Sequence, residues 1–120
     1  MHKSDWWMGL FATIDGKRAQ DFAAYLTTDG EFRFGSAAPV FGRDDVAAYV
    51  DAFFGMIGSS KHQLLHTWQD EGTAVCEGIV TYTRLNGSQV QIPFCNVFYL
   101  RGGEIARYLI YIDNGPLFAG

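Results

Sequence analysis

Apolar residues recur at helical spacing through the first part of the chain and at strand spacing through the last half. Trp7, Leu10, Phe11 and Ile14 fall on one helical face, Ser4 or Asp5 can cap that helix, and Asp15-Gly16 interrupts it. Phe22, Tyr25 and Leu26 mark a second, short helix closed by Thr28-Asp29-Gly30. Residues 31–34 alternate as a short strand, and a loop holding Pro39 runs from Gly35 to Gly42. Val46, Tyr49, Val50, Phe53, Phe54 and Ile57 then form a broad apolar stripe, capped by Asp44 and ended by Gly58-Ser59-Ser60. Strands follow over residues 62–69, 73–85, 89–100 and 104–113, separated by Asp70-Glu71-Gly72, Asn86-Gly87 and Gly102-Gly103. Helices followed by a meander predict one α+β domain over residues 1–120, with the helices on one face of a mostly antiparallel sheet.

Turn chemistry sets the expected register. Asn-Gly favours a two-residue type I′ turn, with positive φ at both central residues. Pairing Leu85 with Ser88 sets Thr83 opposite Val90, Ile79 opposite Phe94 and Glu77 opposite Asn96. The Glu71-Gly72 turn, treated alike, sets His66 opposite Glu77. A two-residue Gly102-Gly103 turn sets Asn96 opposite Leu109, Phe94 opposite Tyr111 and Ile92 opposite Asp113; a three-residue loop would instead present Tyr108, Ile110 and Ile112. Side chains alternate with period two, so the expected inner face carries His66, Glu77, Asn96, Tyr111 and Asp113 among Leu64, Trp68, Ile79, Phe94, Phe98 and Leu109. The other face receives Cys76, Val80, Tyr82, Cys95, Val97 and Tyr99, too apolar for water, which predicts a homodimer built on it. Cys76 and Cys95 come out as diagonal neighbours about 7–8 Å apart, too far for an easy disulfide.

Composition narrows the function classes. Of 120 residues, 48% are hydrophobic and 16% aromatic, enough for a core and a lined cavity without metal or disulfide. The net charge is −4 and no run of Lys or Arg occurs, so the electrostatic footprint of a nucleic-acid binder is missing. No apolar stretch approaches the roughly 20 residues of a membrane span. The N-terminus lacks a signal-peptide pattern, and the two cysteines lack metal-ligand spacing. A cytoplasmic location is the expectation.

Convergent polar groups on an apolar wall describe a small-ligand pocket. Asp113 is the first candidate for acid/base work, because desolvation raises a carboxyl group toward neutrality. The competing reading is an Asp that caps the Asn114-Gly115 turn. Glu77 can fix the imidazole tautomer of His66, or the two form a structural contact within the sheet. His66, Glu77 and Asp113 together match no metal-ligand signature, so neither metal nor cofactor is assigned. His62, at a strand start, reads as solvated. Asn96, Tyr111, Trp68, Phe94, Phe98 and Leu109 are the candidate ligand-binding residues.

The order of elements resembles the nuclear transport factor 2-like superfamily in its SnoaL-like branch. The resemblance rests on the two helices around Asp15-Gly16, the Phe41-Gly42-Arg43-Asp44-Asp45-Val46 run, Cys76-Glu77-Gly78, and the Gly103-Glu104-Ile105 to Tyr111-Ile112-Asp113 ending. It implies a curved sheet wrapped by three N-terminal helices around a cone-shaped pocket, a cystatin-like roll. It implies a homodimer too. The ketosteroid isomerase pattern would set its oxyanion-binding tyrosine at Leu10, its general base near Phe34 and its second aspartate at Asn96; Leu10 and Phe34 thereby join the ligand-binding candidates, and that reaction is disfavoured. The limonene-epoxide hydrolase pattern matches Tyr111-Ile112-Asp113 but sets its water-holding residues at Phe32 and Phe34. The leading reading is a cofactor-independent acid/base enzyme (isomerase, cyclase, dehydratase or hydrolase) acting on a small apolar or amphipathic molecule, with Asp113, Glu77 and His66 as catalytic candidates. The alternative is a non-catalytic ligand-binding or structural dimeric module.

Overall fold

Tertiary pairing moves several boundaries that local spacing suggests. In the computed structural model, which describes residues 3–119 with side chains from Asp5 onward, the first amphipathic stretch is helix α1 (Lys3–Asp15). The Ser4 cap lies outside the described side chains. Helix α2 (Ala19–Ala23) is shorter than its spacing suggests, because Leu26 opens strand β1 (Leu26–Phe34). The backbone of Tyr25 accepts a hydrogen bond from Ile105 N–H at 2.9 Å, and Leu26 pairs with Ile105, so sheet formation overrides helical periodicity there. Gly30 sits at the irregularity in this strand, where a Cβ would lie 2.9 Å from Leu26 Cβ. The Gly35–Gly42 loop contains a short strand, β2 (Val40–Phe41).

Helix α3 (Arg43–Phe54) buries Val46, Ala47, Val50 and Phe54. Its N-cap is Gly42, at φ 88°, rather than Asp44; Asp44 and Asp45 lie in the first turn, where negative charge complements the helix dipole. Strands β3 (Ser59–Asp70), β4 (Thr73–Thr83), β5 (Gln89–Arg101) and β6 (Glu104–Ile112) form the expected meander, and a short helix α4 (Gly115–Ala119) follows it. The six-stranded sheet runs β2-β1-β6-β5-β4-β3; β1 pairs with β6 in parallel and the other pairs are antiparallel. Helices therefore occur at both ends of the chain, not only before the sheet. Among the described residues, no helix is long and apolar enough to cross a membrane.

The register differs from expectation in three places, and each difference decides which side chains face the helices. The turn after β4 has three residues, not two: Arg84 pairs with Ser88, and Leu85-Asn86-Gly87 closes the loop. Gly87 has φ 88°, while Asn86 is not among the residues with positive φ, so a type I′ turn is excluded. Asn86 instead accepts hydrogen bonds from Ser88 N–H at 2.9 Å and Ser88 Oγ at 2.6 Å. One extra residue shifts the β4–β5 ladder by one, pairing Cys76 with Asn96 and Glu77 with Cys95.

The turn after β5 has two residues as expected, since Arg101 pairs with Glu104, but Ala106 bulges out of β6. Beyond it, Tyr99 pairs with Arg107 and Asn96 with Ile110. Leu65 bulges in the same way from β3, between the Leu64–Gly78 and His66–Glu77 pairs. Period two then sends Ser60, His62, Cys76, Val80, Tyr82, Ile92, Phe94, Asn96, Phe98 and Tyr108 inward. These residues meet the helices through ring contacts such as Trp7–Phe98 at 5.4 Å, Phe22–Tyr108 at 5.6 Å and Phe53–Tyr82 at 5.8 Å. The expected dimer face is therefore divided. Cys76, Val80 and Tyr82 belong to the core, while Cys95, Val97 and Tyr99 lie on the other side. The two cysteines are free, and sit on opposite faces rather than as diagonal neighbours on one.

Candidate functional site

Between the inward face of the sheet and helices α2 and α3 lies a cavity of about 50 Å3. Its walls are mostly rings and branched side chains, among them Phe22, Phe32, Phe34, Phe53, Phe94, Ile110 and Ile112. Its polar groups are few: Ser60, His62, Tyr82, Asn96 and Tyr108.

His62 stands beside the C-terminal residue of α1. Asp15 Oδ1 lies 2.5 Å from His62 Nδ1 and accepts a hydrogen bond from Ser60 Oγ at 2.8 Å, while Oδ2 accepts the His62 backbone N–H at 2.9 Å. Burial alone would raise this carboxyl group. Hydrogen bonds from the His62 side chain, the charge of its ring, its backbone N–H and the Ser60 hydroxyl together outweigh burial and hold Asp15 below the usual carboxylate value. An ionised carboxylate only accepts, so Nδ1 turns a ring proton toward it, and whenever the imidazole is neutral its lone pair lies on Nε2. The ring is wedged between Phe11 and Phe94, with centroids at 5.0 and 5.3 Å. The pair is thus an oriented base set among aromatic walls.

Asn96 forms a second polar element. It is 2% exposed and donates from Nδ2 to Tyr108 Oη at 3.2 Å, while its Oδ1 has no partner. The Tyr108 phenol is pushed well upward, chiefly by burial, and remains a protonated donor. Turning the amide over exchanges which atom goes unmet but still leaves hydrogen-bonding capacity unused. Such capacity in an apolar wall is costly unless water or a ligand supplies the partner. The neighbouring Cys76 thiol, pushed up to about 12 by burial, is unreactive as a nucleophile.

Of the residues singled out from sequence, Phe34, Phe94 and Asn96 line this cavity. Leu10 and Phe98 are fully buried in the core beside it. The others lie elsewhere because the three register shifts reverse their faces. His66 and Glu77 do pair, at 2.7 Å, but on the outer face with side chains 66% and 49% exposed. Trp68 stacks on His66 there at 5.8 Å, Tyr111 is 59% exposed, and Leu109 lies on the same outer side. Asp113 accepts the Gly115 N–H at 2.9 Å, the turn-capping arrangement, and its carboxylate is exposed on the rim of an outer groove. No group of three or more potential metal ligands occurs among the described residues. Asp15 and Ser60 are not among the candidates that the sequence offers; His62, expected to be solvated, is largely buried, Tyr82 turns inward rather than to the dimer face, and Tyr108 faces inward as only the alternative reading of Gly102-Gly103 had it. An Asp-Gly helix stop and a histidine at a strand start carry no local sign of meeting.

Similarity to known proteins agrees with this geometry. A nuclear transport factor 2-like protein of unknown function from Burkholderia pseudomallei K96243 superposes with TM-score 0.85 at 14% identity, covering 99% of this chain and 97% of that one. A SnoaL-like polyketide cyclase, so described provisionally, from Jannaschia sp. CCS1 gives 0.82 at 16%, covering 97% and 88%. A hypothetical protein with a ketosteroid isomerase-like fold from Catenulispora acidiphila DSM 44928, in complex with trimethylamine, gives 0.78 at 16%, covering 84% and 79%. At these identities the likeness shows the fold. No curated protein matches the chain significantly in sequence. The SnoaL-like domain pattern, however, matches residues 9–108, from α1 to the inward tyrosine of β6. Its span establishes that the chain belongs to the SnoaL-like domain family, and the superpositions show that it has the nuclear transport factor 2-like fold.

Proposed function

We propose that the chain is a cofactor-independent acid/base enzyme acting on a small, largely apolar molecule at the base of a cone-shaped pocket. His62 Nε2 takes a proton from the substrate, Asp15 orients the ring and stabilises the imidazolium, and Asn96 with Tyr108 holds a substrate oxygen. The observation that carries this reading is the Asp15–His62 pair, whose imidazole edges a mostly apolar cavity. Isomerisation, cyclisation and dehydration can each begin by removing a proton from carbon beside a carbonyl. The proton then returns from Nε2 to a different carbon, to an oxygen or to a leaving hydroxyl. Hydrogen bonds from Tyr108 and the Asn96 amide stabilise the enolate oxygen formed in between. This assigns to His62 the role for which Asp113, Glu77 and His66 were candidates.

The test is deuterium exchange. The protein in D2O is mixed with 2-indanone, a simple carbon acid, and loss of the α-proton signal is followed by NMR. Wild-type protein is expected to accelerate exchange, and His62→Gln to lose on the order of 10²-fold or more of that acceleration. Equal acceleration by both proteins refutes the role of His62. No acceleration by the wild type favours the alternative, a ligand-binding module. A homodimer remains part of the proposal, on the outer sheet face that carries Trp68, Val75, Cys95, Val97 and Tyr111.

A further inference from the structure

The inner cavity, at about 50 Å3, has room for a few water molecules but not for a whole organic substrate. On its other side lies an open groove of about 530 Å3, lined by Tyr49, Met56, Phe118 and the Asp113 rim. Phe34, Phe53 and Ile112 line both spaces. All three are half-buried, as a dividing wall requires. Phe34 and Phe53 meet edge to face at 4.8 Å, and Phe53 meets Tyr82 in the same way at 5.8 Å. These rings come from different elements, β1 and α3, so rotating the Phe53 side chain parts the wall without breaking a backbone hydrogen bond.

Resting on the reading of the cavity as a substrate site, we infer that Phe34, Phe53 and Ile112 form a movable partition. The substrate is a two-part, amphipathic molecule. Its compact oxygen-bearing head enters the inner cavity to meet Asn96, Tyr108 and His62, while its larger apolar body stays in the groove. Phe53 is the residue that sets which substrates fit, because the link between head and body must pass it.

NMR titration of the full chain with methanol and with 1-heptanol tests this. Methanol is all head; 1-heptanol carries its chain through the wall. Phe53→Ala is expected to tighten 1-heptanol by about fivefold or more, and Phe53→Trp to weaken it by about as much, with methanol changing less than about twofold in both. Should Phe53→Ala fail to fold, Phe34→Leu opens the facing side and is held to the same outcome. Equal changes for both probes, or none, overturn the partition. Asn96→Leu separates this result from failure of the underlying site, because it removes the head's partner and should weaken both probes by about tenfold. If Asn96→Leu weakens both while the Phe53 variants do not discriminate, only the partition falls. If Asn96→Leu changes neither, or if the wild type binds neither probe, the cavity is not the site and the inference falls with it.

Discussion

Replacing Asp15 by Asn changes almost no volume, yet it sets two demands of the His62 site against each other. The carboxylate accepts three hydrogen bonds, two at Oδ1 and one at Oδ2. An amide has one oxygen. If that oxygen takes the Oδ1 position, the NH2 group confronts the His62 backbone N–H, and a donor is left unpaired. If it takes the Oδ2 position, the NH2 group faces Nδ1 and can only donate to it, which moves the ring proton to Nε2. Each arrangement loses a hydrogen bond to a charged acceptor, and we expect a net cost of about 2 kcal/mol. For a domain of this size that lowers the melting temperature by roughly 8 °C. The second arrangement also abolishes the base, since Nε2 no longer has a free lone pair, and the loss of exchange activity should be on the order of 10²–10⁴-fold. The assay is nitrogen-15 NMR of the imidazole, which separates protonated from unprotonated ring nitrogens without any substrate. The wild type should show Nδ1–H, and Asp15→Asn should show Nε2–H or a mixture. An unchanged Nδ1–H pattern together with an unchanged melting temperature would refute the reasoning.

Three further outcomes are expected. Gly78→Ala should cost about 3 kcal/mol or more, read as a lower urea midpoint, because its Cβ would meet the backbone oxygen of Gln63 within van der Waals contact from which nothing flexible can retreat; an unchanged midpoint would show that the β3 bulge yields. Asp15 is depressed below its ordinary 3.8, so its contribution to stability is complete above that value and is lost as pH falls through the lower, folded one. Acid unfolding of the wild type should therefore include a steep component below about pH 4 that Asp15→Asn lacks, and parallel curves for the two proteins would contradict this. Trp68 is 53% exposed on the outer face, so Trp68→Glu should convert a dimer to a monomer in light scattering at micromolar concentration, whereas a wild-type monomer would dismiss that interface.

Secondary structure was legible in the sequence wherever one periodicity ran long enough. The α3 stripe, the four long strands and the two-residue Gly102-Gly103 turn are examples. What local pattern could not supply was a count of extra residues. Asn-Gly serves both a two-residue turn and, with Leu85, a three-residue one, and the choice is made by Asn86 bonding to Ser88. Neither Leu65 nor Ala106 belongs to a residue type that announces a bulge. A one-residue error preserves every strand while exchanging its faces. The strands were therefore found, but Glu77 and Tyr111 were assigned to the wrong side of them, and Asp113, expected on the last strand, lies just past its end. The Asp15–His62 pair was illegible for a different reason: its members are 47 residues apart and meet only after helix and sheet have packed.

Ala106 also bears on how this protein should be compared with its relatives. A bulge absorbs one residue, so a chain lacking Ala106 would still pair Tyr99 with Arg107 and Asn96 with Ile110, and would still turn Tyr108, Ile110 and Ile112 to the wall. Regular pairing of the hairpin at its present length would instead set Asn96 opposite Leu109 and turn Leu109 and Tyr111 inward. A relative one residue shorter here can therefore enclose the same lining, while one of equal length without the bulge encloses the opposite one. A column-by-column alignment that sets no gap at this point would carry site residues between such proteins on the wrong parity. For chains of this architecture, the presence of a bulge in the last hairpin is thus a heritable character in its own right, to be established before any residue's role is transferred.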